Sequence, residues 1–302
     1  MAALANLNDY RPTTLADRGM LVKIKRKGIA HIKRNQDFLE RVAASEGLPS
    51  KKLSAGIRIF TDAPEIQAWE AKARELAEAW KVPTYRWLDD GTRFAVTEDP
   101  TWFQSYMANL RQLRDACDRL RMPIEANWEQ IIADDIQSSS YKLDRSDYPS
   151  ELGDRCTVEI ITLPVPHEDD FRTAVSEGEK AALRSMLHDA QRSATVDLVK
   201  RMMTPLKDLA EKLAKYDPAN KGRWSTSVVD NLVSQADLII DLNRRFENDV
   251  DVEKLARAAK QIVAPLQNPE TAKADPEARE KTKERLDKLA TIMGGFGGAD
   301  ED

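Results

Sequence analysis

Ser176-Glu177-Gly178-Glu179, followed by Leu183, Leu187, Ala190, Ala194, Leu198, Met202, Leu206, Leu209, Leu213 and Tyr216, decides the fold. The Ser176 hydroxyl is placed to accept from the third backbone N–H of a helix, with Glu179 reaching back, as a capping box does. The apolar residues then recur at steps of three and four, on one slowly drifting helical face. A helix from Glu177 to Tyr216 would run about 60 Å. Pro205 predicts a kink or break near Thr204, because proline removes a donor and crowds the preceding turn. Asp217-Pro218 ends the helix. After Asp217-Pro218-Ala219-Asn220-Lys221-Gly222, Ser225 or Ser227 caps a second helix with Val229, Leu232, Val233, Ala236, Ile239, Ile240, Asn243 and Phe246 on its face. A short connection favours antiparallel neighbours. The stripe is too long to cover itself, so part of it must meet the N-terminal half or a second copy, which motivates a homodimer.

Working outward, Asp275-Pro276 starts a last helix with Leu286, Leu289 and Ile292 on one face, and Val252 to Val263 forms another that Pro265 ends. Thr157 to Val165 is rich in β-branched residues and reads as a strand, with Pro164 and Pro166 placing its end at a sheet edge. Phe171 to Val175 is a candidate partner strand. Tyr85-Arg86-Trp87-Leu88 and Thr92-Arg93-Phe94-Ala95-Val96 flank Asp89-Asp90-Gly91, a β-hairpin pattern. Asp62-Ala63-Pro64-Glu65 starts a helix with an Asp cap, and Ile66, Trp69, Ala73, Leu76 and Trp80 make its buried stripe. Phe103, Tyr106, Leu110, Leu113, Cys117 and Leu120 form a heptad-like, coiled-coil seam suited to another long helix. Pro123 interrupts it before Ile124, Trp128 and Ile131. Phe38, Leu39, Val42 and Ala43 suggest a short helix ending at Gly47.

The expected fold class is α+β, mainly α: long antiparallel helices forming a bundle, with a small β-hairpin and a short strand pair. The organisation we expect is a loose leader over 1–20, an N-terminal α+β lobe over 21–137 with the hairpin at about 85–96, and a polar linker over 138–150. A C-terminal helical lobe over 151–293 follows, with strands at about 157–175, and then an acidic tail over 294–302, disordered unless a partner captures it.

Across 302 residues, 41% are hydrophobic and 32% charged, a globular rather than disordered composition. No window approaches the ~18 consecutive apolar residues of a membrane span. Residues 1–20 lack an apolar signal core, so we expect a cytoplasmic protein. Cys117 and Cys156 are the two cysteines, and we read both as buried apolar residues rather than a disulfide or a metal pair.

The net charge of −5 gives no global attraction to nucleic acid. Locally, however, Lys23, Lys25, Arg26, Lys27, Lys33 and Arg34 fall within 21–35, which contains no acid. One reading makes these six a phosphate-contacting arm. The other makes Leu21 to Lys25 a half-exposed strand whose lysines guard a sheet edge. No aromatic is interleaved to stack on bases, which favours the second.

Catalytic, cofactor-binding and metal residues are not assigned. There is no Gly-x-x-x-x-Gly-Lys-Ser/Thr loop, no Gly-x-Gly-x-x-Gly and no Gly-x-Ser-x-Gly elbow. His31, His167 and His188 are isolated in sequence, without zinc-ligand spacing. His167-Glu168-Asp169-Asp170 has the residue types to hold a divalent cation, but reads better as a solvated turn after Pro166. Trp87 with Asp89 and Asp90 reads as a packed hairpin.

Several segments, in this order, carry a resemblance. They are Trp87-Leu88-Asp89-Asp90-Gly91-Thr92-Arg93-Phe94, then Met107-Ala108-Asn109-Leu110-Arg111-Gln112-Leu113-Arg114, and Asp147-Tyr148-Pro149-Ser150-Glu151-Leu152. Leu163-Pro164-Val165-Pro166 with Asp169-Asp170-Phe171-Arg172 follows, then Ser227-Val228-Val229-Asp230-Asn231-Leu232 and Leu238 to Leu242. Over about residues 20 to 265 the chain resembles a family of tailed-phage and prophage proteins without an established activity. Near the N-terminus it departs from that pattern: Lys25-Arg26-Lys27-Gly28 stands where a tryptophan-plus-basic signature is expected. The resemblance implies action in the infected host's cytoplasm and an association with operons that encode a MoxR-type AAA+ ATPase. Three functions follow as expectations: a non-enzymatic adaptor with a protein partner such as that ATPase, a nucleic-acid-binding accessory factor of phage replication or recombination using 23–34, and, last, an enzyme of unrecognised type.

Overall fold

The computed structural model describes residues 14–29, 32–34, 40, 44–45, 56–60, 62–89, 91–139, 143–167, 176–216, 227–246, 248–268 and 275–296; at 32–34 and 56–58 it describes the backbone alone. In chain order the elements are α1 (Leu15–Arg18), β1 (Gly19–Lys27), β2 (Ile32–Arg34), β3 (Gly56–Arg58), α2 (Pro64–Lys81), β4 (Tyr85–Arg86), β5 (Thr92–Val96), α3 (Pro100–Ala126), α4 (Trp128–Ser138), β6 (Thr157–Pro164), α5 (Glu177–Lys215), α6 (Ser227–Phe246), α7 (Val250–Val263) and α8 (Pro276–Gly295). The fold class is therefore α+β and mainly α, as the periodicity implies. β4, β5, β1 and β6 share one sheet in that order, and β2 pairs antiparallel with β3 in another. Among the described residues no helix is long and apolar enough to cross a membrane.

The chain divides into two units. Met1–Leu21, Pro83–Asp99 and Leu163–Asp302 form one; Val22–Val82 and Pro100–Thr162 form the other. We call them the helical and the mixed unit. The hairpin, expected with the N-terminal lobe, belongs to the helical unit. Segment 138–150, expected as a linker, lies inside the mixed unit.

In the helical unit α5 forms as its spacing dictates, with Ser176 Oγ accepting from Glu179 N at 3.2 Å. From Ala190 to Leu213 its apolar face is buried. Pro205 does not break the helix: α5 continues through it, and Pro205 is itself buried beside Met202, Leu206 and Leu209. The donor lost to proline is a fixed local cost, which burial of the ring offsets at roughly 1.5–3 kcal/mol for a large apolar side chain. α6, α7 and α8 supply the rest of this core, including Leu232, Ile239, Ala256 and Leu286. Tyr85, Trp87 and Phe94 of the hairpin complete it. From Ala190 to Leu213 the stripe is thus covered within the chain itself, while Leu183 and Leu187 nearer the start of α5 are half-buried. On α8, Ile292 is 60% exposed and Met293 is buried in its place, a one-residue correction to the expected face. Asp275 caps α8 by accepting from Ala278 N at 2.8 Å.

The hairpin meets α6 through its aromatics. Tyr85 stacks on Phe246 with centroids 4.6 Å apart, and Phe94 meets Phe246 edge-on at 5.7 Å. The Tyr85 hydroxyl donates to Leu242 O at 2.6 Å, and burial pushes its pKa well above the ordinary phenol value. Arg18 donates to the carbonyls of Arg245 and Phe246 and pairs with Glu98 at 2.7 Å, so one guanidinium satisfies orphan acceptors at the end of α6. α1 and the start of β1 are therefore part of the packed unit, where a loose leader over 1–20 was expected. Gly19 has no room for a side chain: a Cβ there would lie 2.4 Å from the Phe94 ring and 2.5 Å from Ala95 O.

Asn243, placed on the apolar face of α6 by its spacing, is buried because its amide does backbone work. Its Nδ2 donates to Asp249 O at 2.8 Å and its Oδ1 accepts from Asp249 N at 3.1 Å. Asn248 adopts a left-handed φ of 53°, which Asn tolerates better than most residues. Asp249 then caps α7, accepting from Asp251 N and Val252 N.

In the mixed unit α2 packs against α3, which answers the heptad-like seam: Tyr106, Leu110, Leu113 and Cys117 are buried. α3 runs through Pro123 without interruption to Ala126. The N-cap residue of α2 is Ala63, one residue after Asp62, and Ala63 makes no side-chain cap. Ile66, Trp69, Ala73 and Leu76 are buried as expected. Trp80 Nε1 donates to Val22 O at 3.0 Å, and Tyr106 OH donates to Trp80 O at 3.2 Å. β6 lies at the end of the strand order, which lets it carry Pro164. The expected strand at 171–175 and helix at 38–43 fall on residues outside those described, apart from Glu40.

Candidate functional site

The basic segment divides between two sheets. Lys23, Lys25, Arg26 and Lys27 lie on β1, while Lys33 and Arg34 lie on β2, in register with Ile57 and Gly56 of β3. Alternation along β1 puts Lys23, Lys25 and Lys27 on one face. Two of them meet acids from the β6 side: Lys25 lies 3.5 Å from Glu159, and Lys27 bonds Asp154. The Lys27 ammonium holds the Asp154 carboxyl below the usual carboxylate range. Lys25 and Lys27 are thus matched by negative charge.

A buried charge network joins the hairpin of the helical unit to α5. Arg93 is 3% exposed, in a strand whose five residues are all buried. It donates to Thr84 O at 2.8 Å and to Asp197 Oδ2 at 3.1 Å. Arg201, one turn after Asp197, donates to the same oxygen at 2.6 Å and to Thr84 O at 2.6 Å. Two guanidiniums share one carboxylate and one carbonyl, and the hydrogen bonds meet the desolvation cost that a lone buried charge would carry. Sequence reasoning left Arg93 unassigned. The signal was present: Thr92-Arg93-Phe94-Ala95-Val96 lacks the alternation of a half-exposed strand, so an arginine inside it needs a partner.

The mixed unit has its own node. Asp135, on α4, accepts from Phe60 N at 2.8 Å and from Tyr148 OH at 2.7 Å. Phe60 holds a left-handed φ of 59° and packs between Trp128 and Tyr148, with centroids 5.4 and 5.2 Å away. Arg145 grips the following loop, donating to Pro149 O at 3.0 Å and Ser150 O at 2.9 Å, and pairs in a fork with Glu129 at 2.7 and 2.8 Å. Beside this node lies a cleft of about 290 Å³ that includes Asp62, Glu65, Asp134 and Asp135. Among the described residues no three His, Cys, Asp or Glu groups converge to hold a metal ion.

Two of the histidines that stand apart in sequence, His167 and His188, line one depression of about 180 Å³ with Arg184, Leu187 and Thr14. His188 and Gln191 also line an adjoining one of about 440 Å³, with Arg192, Thr195, Asp249 and Phe296. The two depressions share His188 and Gln191, so α5 lines both, and we refer to them together as the groove. Its carboxylate, Asp249, is engaged in capping α7. Of the cation site considered at His167, Glu168, Asp169 and Asp170 lie outside the described residues, and His167 faces the groove. Nothing in the local sequence around His188 announces this pairing, because the two imidazoles come from separate parts of the chain.

No family model matches the chain, and no curated protein or solved structure does so either.

Proposed function

We propose that this chain is a non-enzymatic interaction protein, an adaptor of the kind its resemblance to tailed-phage proteins implies, acting in the cytoplasm of an infected host. The observation that carries the reading is how buried charge is used. Arg93, Asp197 and Arg201 are committed to one another and to Thr84. Asp135 is committed to Phe60 and Tyr148. These groups hold backbone and helices in place, the work expected of a scaffold. The partner is another protein, and an AAA+ ATPase of the MoxR type is the first to test.

The nucleic-acid reading ranks second. It is favoured by Lys25, Arg26 and Lys27, which are exposed in succession on β1, and opposed by Glu159 and Asp154, which a phosphate would have to displace.

A tagged pull-down from infected cells, with half the lysate treated with nuclease, separates the two. A discrete protein co-purifying in both halves supports the adaptor. Partners that vanish with nuclease, together with binding lost in a Lys25→Ala/Arg26→Ala/Lys27→Ala variant and steeply weakened by salt, would replace it with the second reading.

A further inference from the structure

We propose that β6 pairs with β6 of a second copy of this chain, antiparallel and in register about Ile160. This goes beyond the adaptor reading, whose partner is a different protein, and concerns the purified chain alone, so either can fail without the other.

The two ends of the strand order differ in how they resist pairing. β4, at one end, has two residues, and so short a strand offers almost no ladder to a newcomer. β6, at the other end, has eight, and among the described residues β1 is its neighbour in the sheet. Edges of that length are ordinarily guarded by lysine, proline or a bulge. Thr157-Val158-Glu159-Ile160-Ile161-Thr162-Leu163 contains no lysine, arginine, proline or glycine, and five of its residues are β-branched, the types that suit a paired, pleated surface. Its one charge, Glu159, lies 3.5 Å from Lys25 of β1. Ile160 and Ile161, on opposite faces by alternation, are both half-buried, and Leu163 is 44% exposed.

Charge and proline select the occupant and its register. Residues directly opposite across antiparallel strands point to the same face of the sheet. A strand that pairs with its own copy about a two-fold axis therefore centres on a residue, and that residue decides what Glu159 meets. Centred on Glu159, two carboxylates stand opposite each other, which is destabilising. Centred on Ile161, Pro164 faces Val158 with no N–H to give. Centred on Ile160, the whole proline-free stretch 157–163 pairs: Glu159 meets Ile161, Val158 meets Thr162, Thr157 meets Leu163, and no charge meets its like. An unguarded strand that is complementary to itself in this register fits the isologous contact of a two-fold dimer.

The test is sedimentation equilibrium of the full chain with charge exchange at the axis. Pairing predicts a reversible dimer. Ile160→Lys sets two ammonium groups face to face and should sediment as a monomer, as should Ile160→Glu, and an equimolar mixture of the two should recover the dimer. Circular dichroism of each variant checks that it is folded. Cysteine trapping decides the matter if those substitutions disturb folding. Directly opposed residues have Cα atoms about 4.5–5.5 Å apart, within disulfide reach, whereas the two copies of residue 161 are offset along the strands beyond it. Mild oxidation should therefore join Ile160→Cys chains into a covalent dimer and leave Ile161→Cys chains unjoined. A chain that is monomeric at every concentration overturns the proposal. So does a dimer that survives Ile160→Lys, a mixture of folded variants that stays monomeric, or trapping at 161 in preference to 160.

Discussion

The Tyr148 hydroxyl and the Phe60 backbone N–H converge on a single atom, Oδ2 of Asp135, at 2.7 and 2.8 Å. Three distant pieces of the mixed unit are tied at that oxygen: the end of the β3 segment, α4, and the loop after residue 143. The tie also holds Phe60 at a positive φ that an aromatic residue otherwise avoids. Tyr148→Phe removes one donor and should cost about 1–2 kcal/mol in urea unfolding. Asp135→Ala strands two buried donors and should cost about 3 kcal/mol. A double-mutant cycle should give a clear coupling energy; additive losses would show that the shared oxygen does not link the two bonds.

The charge network of the helical unit predicts a different asymmetry. Asp197→Ala leaves Arg93 and Arg201 facing one another in a desolvated site and should destabilise by about 3 kcal/mol or more. Replacing Arg93, Asp197 and Arg201 together by apolar residues of similar volume should cost much less, because an apolar cluster needs no partner. Chemical denaturation of the two variants checks this, and equal losses would refute it.

Glu129 and Arg145 make a stability component with a definite sign in pH. The Arg145 fork holds the Glu129 carboxyl below the usual carboxylate range. A depressed folded-state pKa means that the contribution is present above the unfolded glutamate value and is lost as pH falls through the folded value. Side-chain NMR titration of Glu129 should report the lowered pKa and its return to the ordinary range in Arg145→Ala. Both groups lie at the surface, so the loss should be small and sensitive to salt.

The cysteines should be inert in the folded chain. Burial pushes the Cys156 thiol up to about 12 and raises that of Cys117. At about pH 8 a thiolate-directed reagent should label neither in the native protein and both after unfolding. The same shift has a stability consequence: the unfolded thiol ionises first, so stability is full below about 8.5 and declines as pH rises toward the folded value. Cys156→Ala should flatten that decline. Fast native labelling would contradict the burial.

How much of this was legible follows from the range of each interaction. The α5 stripe, the hairpin and the seam answered by α2 are repeated local patterns, and periodicity found them. Neither Pro205 nor Pro123 ends its helix, because a local rule about proline says nothing of the packing that overrides it. Asp147-Tyr148-Pro149 read as linker for a similar reason: its chain is polar, and Asp135 and Glu129, supplied from α4, give it a fixed place through Tyr148 and Arg145. The groove was illegible because His167 and His188 come from separate parts of the chain, and their lining of one depression is a product of the fold rather than of spacing.

The interleaving of the two units bears on how the chain is made. Neither unit is a continuous stretch: the helical one needs residues from three separate segments, the last ending beyond α8. As the nascent chain emerges, Tyr85 and Phe94 appear some 150 residues before Phe246, the ring that packs on both. Their greasy surface must wait through most of synthesis, the circumstance in which chaperones are recruited and premature release is punished by aggregation. A stop codon between Asp99 and Phe246 would therefore yield an orphaned hairpin rather than a smaller working protein.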